Sequence, residues 1–301
     1  MKIRIGTRGS KLALWQANYI RSLLGKISSA LETEVIIIKT TGDAIQNVSL
    51  TQMGGKGLFV KEIESALLSG DIDIAVHSMK DMPAQIPVGL SIAATPAAEE
   101  PWDVMVFNRK TTLTDLKAGA VIGTTSLRRI VQLRRTKPGL RFEMLRGNID
   151  TRIRKLEAGS YDAIVIAYAG MNRLGIRPAF VERLDIIPSA GQGIIAVESH
   201  ENSAALRSVL VGLNHGPTFS RAAAERGFVT RLGADCQVPA GAHAAVTGNS
   251  IEITGFVADP QGSAFFQDRV IGSTASAYGT GVQLAERLLK AGASEIVGMQ
   301  A

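Results

Sequence analysis

Ile72-Asp-Ile-Ala-Val-His-Ser-Met-Lys-Asp-Met-Pro83 changes character half-way along. Ile72 to Val76, apolar except for Asp73, is of strand length and too short to stand as a helix. His77 to Pro83 is polar and ends in a proline that no central strand tolerates. A strand therefore runs straight into a polar loop, and the same unit recurs. Lys2 to Ile5 leads into Thr7-Arg-Gly-Ser10, Ala120 to Ile122 into Thr124-Thr-Ser-Leu-Arg-Arg129, and Phe142 to Leu145 into Arg146-Gly-Asn148. Helical periodicity fills the intervals: Lys11 to Leu24 with Ser10 as N-cap, Leu58 to Leu68 ended by Gly70, a helix from Leu127, and Ile149 to Leu156. Val35 to Lys39, Leu90 to Ala94, Val104 to Phe107 and Ala163 to Ala167 read as further strands. Such alternation predicts α/β domains with largely parallel sheets. Ligands of open α/β sheets bind at the carboxyl ends of strands, where these polar motifs fall.

The last third differs. Phe219 to Arg231 reads as a helix, Ile251 to Ala258 and Phe265 to Ile271 alternate as strands, and Ala277 to Leu289 closes with a helix. This predicts a small α+β domain behind the α/β part. Its first loop, Leu232-Gly-Ala-Asp-Cys-Gln-Val-Pro-Ala-Gly241, holds the single cysteine of the chain, Cys236. A lone thiol closes no intrachain disulfide. Two readings stay open from the residues alone: a small buried hydrophobe, or a nucleophile or covalent attachment point.

The 301 residues carry a net charge of +6, unevenly spread. Between Ser126 and Arg177 stand 12 Lys and Arg against 4 Asp and Glu, while the remainder holds 21 against 23. An anionic partner is expected at the middle third. Thr125 and Ser126 sit where a helix begins, and Arg128 and Arg129 add guanidinium forks suited to carboxylate or phosphate. Asp81 is the only carboxylate of its motif amid these cations. It is either a turn-forming or ion-paired acid, or a group that stabilises developing positive charge.

Other chemistries find little support. Gly54-Gly-Lys-Gly57 lacks the spacing of a phosphate loop, and Gly191-Gln-Gly-Ile-Ile-Ala196 follows Pro188 rather than a clear strand. His77, His200, His215 and His243 are scattered without metal-ligand spacing, so no metal is expected, and His77 is read as a structural hydrogen-bonder. Aromatics are only 5% of the chain, which weakens a single-stranded nucleic-acid reading. No apolar stretch is long enough to span a bilayer. Met1-Lys-Ile-Arg-Ile-Gly6 reads as a first strand, without the longer apolar core of a signal peptide, so a cytoplasmic location is expected.

Taken in order, the motifs resemble those of the porphobilinogen deaminase family. They are Thr7-Arg-Gly-Ser10, Gly54-Gly-Lys-Gly-Leu-Phe59, Ala75-Val-His-Ser-Met-Lys-Asp81, Thr125-Ser-Leu-Arg-Arg129, Leu145-Arg-Gly-Asn148, Gly191-Gln-Gly193 and Asp235-Cys-Gln-Val-Pro239. The resemblance implies two α/β domains like the type II periplasmic-binding-protein pair, plus the small C-terminal α+β domain. It places residues 1–96 with 194–214 in the first, 97–193 in the second and 215–301 in the third. It implies a dipyrromethane cofactor bound to Cys236 by a thioether. Four porphobilinogen units then add head to tail, each losing ammonia, and hydrolysis releases hydroxymethylbilane.

Every pyrrole carries an acetate and a propionate, which accounts for the cations. By motif match, Lys80, Ser126, Arg128, Arg129 and Arg146 would hold the cofactor. Arg8, Ser10, Thr125, Arg152, Arg173 and Gln192 would contact substrate, and Asp81 would stabilise the azafulvenium cation as ammonia leaves. Lys56 and Phe59 are the candidate lid residues, and the Gly-rich, polar segment 40–57 reads either as a mobile lid or as an ordered loop. Porphobilinogen and the growing oligopyrrole are the implied partners of an expected monomer. The rival reading is a non-catalytic solute-binding protein of the same two-domain architecture, which gives Cys236 no task. Two departures stand out: Ala98 and Trp102 occupy positions where the family usually has arginine, and Ala234-Asp235 precede the cysteine where glycines are common.

Overall fold

The computed structural model describes residues 1–41, 60–233 and 238–298. Strands β1 (Lys2–Thr7), β2 (Glu32–Ile37), β3 (Ile74–Ser78), β4 (Leu90–Ala94) and β10 (Ile195–His200) form one sheet in the order β2-β1-β3-β10-β4. A second sheet takes β5 (Asp103–Phe107), β6 (Val121–Gly123), β7 (Arg141–Glu143), β8 (Ala163–Ala167) and β9 (Phe180–Arg183) in the order β7-β6-β8-β5-β9. The third is an antiparallel meander of β11 (Ala240–Thr247), β12 (Ser250–Ala258) and β13 (Phe265–Ser273). Two α/β lobes and a small α+β unit are thus the fold class read from the sequence.

Both larger sheets are mixed rather than largely parallel. Strand β1 runs parallel to β2 and β3, but β10 enters antiparallel between β3 and β4. Likewise β6 is parallel to β7 and β8, while β5 lies antiparallel between β8 and β9. Period-2 and run-length signals identify a strand without fixing its direction. Strand β10 reaches the first sheet from a distant part of the chain, so no local crossover forces it parallel.

The inner strands are buried along their length, as sheets covered on both faces require. In the first lobe Ile3, Ile5, Ile74, Val76, Ile195 and Val197 pack against Ala17, Ile20 and Leu24 of helix α1 (Lys11–Ile27). The Ser10 hydroxyl caps that helix, accepting from the Ala13 N–H at 3.2 Å. Helix α2 (Lys61–Leu68) covers the other face, and Gly70, with φ of 75°, turns the chain out of it. Among the described residues the further α-helices are α3 (Leu127–Thr136), α4 (Ile149–Glu157), α5 (Tyr168–Arg173), α6 (Ala204–Leu210), α7 (Gly216–Leu232), α8 (Ala277–Leu288) and α9 (Ser294–Gly298). In the third unit α7 and α8 pack on the meander through Phe228, Leu284 and Ile253. Among the described residues no helix is long and apolar enough to cross a membrane.

Candidate active site

Strand β3 ends in a single 3-10 turn, Met79–Asp81. The Met79 N–H donates to the Ile194 carbonyl at 3.0 Å, and Met82 N–H closes the turn on Met79 at 3.1 Å. Met79 and Met82 are buried with Ile194, Ala196 and Ala222. These anchors hold both ends of the turn and leave Asp81 exposed at its tip, with Lys80 half-buried beside it. The Lys80 ammonium donates to Gln192 Oε1 at 3.2 Å. Desolvation lowers its pKa to about 8, with Arg129 and Arg128 acting in the same direction and the carboxylates of Asp81 and Asp103 opposing.

Across from this turn, Asp103 heads the apolar strand β5 and is fully buried. Its carboxylate takes Nη2 of Arg128 at 2.6 Å, and Nη2 and Nε of Arg129 at 2.7 and 3.1 Å. Arg128 also donates to the Ile187 carbonyl at 2.7 Å, and Arg129 to that of Val165 at 2.9 Å. Burial alone would raise the pKa of Asp103, but the two guanidiniums hold it far below the usual carboxylate range. Both arginines, read from the sequence as forks suited to an anionic ligand, are largely buried and braced by one internal carboxylate. The knot still carries two cations to one anion, with Lys80 close by, so its net charge is positive. Each guanidinium also has five donors, more than these bonds use.

Gly191-Gln-Gly193 ties the three units together. Gly193 has φ of 87°, and a Cβ there would sit 2.3 Å from the Glu99 carbonyl oxygen. Gln192 Nε2 donates to the Pro101 carbonyl at 2.5 Å and to Asp103 at 3.1 Å. From helix α7, Arg221 donates to the Gln192 carbonyl at 2.5 Å, and Glu225 accepts from the Gly191 N–H at 2.5 Å. Glu225 also accepts from Arg221 at 2.8 Å and from the Ala244 N–H at 3.0 Å. Gln192, expected against substrate, is 1% exposed, and its amide is engaged on both sides. The structure places it behind Lys80 as a brace.

Two more cations border the cleft. Arg152 on α4 donates to the Gly147 carbonyl at 2.8 Å, and burial with Arg129 lowers its pKa to about 10 against the pull of Asp81. Arg173 on α5 donates to the Gly193 carbonyl at 2.7 Å and lies 5.7 Å from the centroid of the Trp15 ring. Its pKa also falls to about 10 through burial. Asp81 thus acts electrostatically on Lys80 and Arg152, and Arg129 acts on the same two. That coupling joins the first lobe's turn to the second lobe's basic helices. Arg8 and Arg146 are half-buried just beyond β1 and β7. Thr125 is exposed; Ser126 is the N-cap residue of α3, yet its hydroxyl makes no capping bond. Lys56, Phe59 and Cys236 lie outside the described residues.

His77 is buried with Nε2 3.1 Å from Glu198, the structural role read for it. Among the described residues no group of three or more His, Cys, Asp or Glu is placed to hold a metal ion. Sequence reasoning gave no role to Asp103, Arg221 or Glu225. The signal for Asp103 was available, since it is the one charged residue of an otherwise apolar strand. The departures at Ala98 and Trp102 are structurally accommodated, while Ala234 and Asp235 lie outside the described residues. Arg183 lies 3.5 Å from the Trp102 ring centroid, and His243 meets the ring edge-on at 5.5 Å. The Ala98 N–H donates to Thr218 Oγ1 at 3.0 Å.

Comparison with known proteins extends the motif match to the whole length. The family model described as "Porphobilinogen deaminase, dipyromethane cofactor binding domain" matches residues 3–208, and the C-terminal domain model of the same family matches 219–290. The porphobilinogen deaminase of Trichlorobacter lovleyi is 46% identical over 299 residues, covering 98% of this chain and 96% of that protein. That of Nitratidesulfovibrio vulgaris is 47% identical over 302 residues, covering 97% and 95%. Among solved structures, the methionine binding protein MetQ aligns with a TM-score of 0.45 at 13% identity, covering 70% of this chain and 89% of that one. With matched segments from residue 3 to residue 290 and relatives aligned nearly end to end, the chain belongs to the porphobilinogen deaminase family.

Proposed function

We propose that the chain joins four porphobilinogen units head to tail on a dipyrromethane primer, releasing one ammonia per unit and finally hydroxymethylbilane. The observation that carries this reading is the placement of Asp81. An exposed carboxylate stands at the tip of a pinned turn, electrostatically coupled to Lys80 and Arg152 beside a net-positive knot. The division into residues 1–96 with 194–214, 97–193 and 215–301 belongs to the same proposal.

The donor set suits dipyrromethane, whose acetates and propionates need cations. Lys80, Arg146 and the α3 end with Ser126, Arg128 and Arg129 would hold it, anchored through Cys236. When bound, it supplies the pyrrole end from which the chain grows. Arg8, Ser10, Thr125, Arg152 and Arg173 would then orient the carboxylates of incoming substrate through charge-assisted hydrogen bonds. Gln192 steadies Lys80 from behind. As ammonia leaves the aminomethyl carbon of porphobilinogen, positive charge spreads over the pyrrole. Asp81 lowers the energy of that charge because its carboxylate is already in place.

Intact mass and single-turnover ammonia release test the reading together. The full chain incubated with porphobilinogen should carry two pyrrole units on Cys236 and release ammonia, whereas Cys236→Ser should carry none. A folded wild-type chain that neither gains pyrrole mass nor releases ammonia would overturn it.

A further inference from the structure

The segment after Asp81 is held by the third unit. Arg226 on α7 donates through Nη2 to the Ala84 carbonyl at 2.8 Å and to the Pro83 carbonyl at 3.3 Å, and Nη1 reaches Pro83 at 3.3 Å. One turn further on, the Thr230 hydroxyl donates to the same Ala84 carbonyl at 3.2 Å. Among the described residues neither carbonyl accepts a backbone N–H, so these side chains satisfy both. One turn earlier, Ala222 packs on Met79 and Met82. Residues 222, 226 and 230 follow the four-residue spacing of one helix face. That face grips the chain on both sides of Lys80-Asp81. A small cavity of about 10 Å³ between α7 and the turn is lined in part by Met79, Lys80, Met82, Arg226 and Val229.

We propose that Arg226, supported by Thr230, is a positioning residue for Asp81. It fixes the Pro83-Ala84 backbone, and thereby the turn, so that the carboxylate meets the reacting centre in one geometry. The inference rests on Asp81 being the catalytic carboxylate. A misplacement of about 1 Å at a reacting group can cost on the order of 10²-fold in rate, so loosening the turn lowers turnover.

The test uses preformed holoenzymes of Arg226→Ala, Arg226→Lys and Thr230→Val, matched for bound pyrrole by intact mass. Arg226→Ala should lower kcat about tenfold with KM changed less than about twofold. Arg226→Lys should recover part of the loss, since an ammonium can still reach one carbonyl. Combined with Asp81→Asn, Arg226→Ala should add less than about a twofold loss, because it acts through a group already disabled. Wild-type kcat in Arg226→Ala, or a full multiplicative loss in the double variant, overturns the proposal. If Arg226→Ala does not fold, Arg226→Lys and Thr230→Val decide: lowered kcat at constant KM supports the proposal, and wild-type kcat in both overturns it. Near-normal turnover by Asp81→Asn alone would instead remove the underlying reading of Asp81, and this proposal with it.

Discussion

Nη2 of Arg128 lies 2.6 Å from Oδ2 of Asp103 at a fully buried carboxylate. Arg129 takes the other oxygen at 2.7 Å. The carboxylate lets two adjacent guanidiniums enter the interior without facing each other unscreened. It also orients them by forked hydrogen bonds, which a solvent-exposed arginine lacks. The basic face of the second lobe is therefore built from the inside. Asp103 sets the arginines, Gln192 links Asp103 to Lys80, and Lys80 stands next to Asp81.

Asp103→Asn should be strongly destabilising although it touches no ligand. The amide cannot neutralise two buried guanidiniums, and breaking a buried pair from one side costs about 3–5 kcal/mol. Urea unfolding should show a lower midpoint with an unchanged slope. A loss below about 1 kcal/mol would mean that water already compensates the pair.

Lys80 predicts an alkaline limit to primer binding. Desolvation brings its pKa down from 10.5 to about 8, so the cation is present at neutral pH and lost as pH rises through 8. The rate at which the apo-chain acquires its primer from porphobilinogen, read by intact mass, should fall above about pH 8. Lys80→Arg should carry that limb to higher pH, because guanidinium stays charged. The linked stability effect has the opposite sense. Folding opposes protonation of Lys80, so its penalty is present below pH 8 and is relieved as pH rises toward 10.5. An identical alkaline limb in wild type and Lys80→Arg would assign it to another group.

Gly193→Ala should disrupt the junction of the three units. The backbone φ of 87° disfavours a side chain, and the new Cβ would lie 2.3 Å from the Glu99 carbonyl oxygen. Either the 99–101 segment or the Gly191-Gln-Gly193 turn must move, and with it the Gln192 bonds to Pro101 and Asp103. Backbone strain of this kind costs about 1–3 kcal/mol before the lost bonds are added. Thermal unfolding should show a clear fall in Tm. An unchanged Tm would mean that the junction repacks freely.

Much of this arrangement is readable in the chain. Ser10 is a cap residue before a 3.6-period pattern, and the structure uses it so. Asp81, Lys80 and Arg128 fall at strand ends, where local pattern and fold rule agree. Strand β11 is harder, because Ala240-Gly-Ala-His-Ala-Ala-Val-Thr247 has few of the branched or aromatic residues that mark strands. Its burial comes from α7 and α8, packing that no local window contains. The roles of Arg128 and Arg129 were half legible. Their charge pointed to an anion, but their internal partner is the distant Asp103, 25 and 26 residues away. Trp102 shows the same limit: its ring is matched by Arg183 and His243, both remote in sequence.

Asp81→Asn should be the most damaging single change that leaves the primer attached. The amide keeps size and hydrogen-bonding capacity but loses the charge. That charge matters most when the carbon–nitrogen bond of porphobilinogen breaks and positive charge appears on the ring. An interaction stronger in the transition state than in the ground state lowers kcat and kcat/KM together when removed, and leaves binding largely intact. Losing one such electrostatic contact is worth about 10²–10³ in rate. Asp81→Glu should retain part of the activity, since the charge persists at a shifted position. Both variants must be compared as preformed holoenzyme, so that failed primer assembly is not mistaken for failed turnover. Single-turnover ammonia release separates the two effects. Its near-normal rate in Asp81→Asn would leave the cationic cleft as a binding site and move the chemistry to another group.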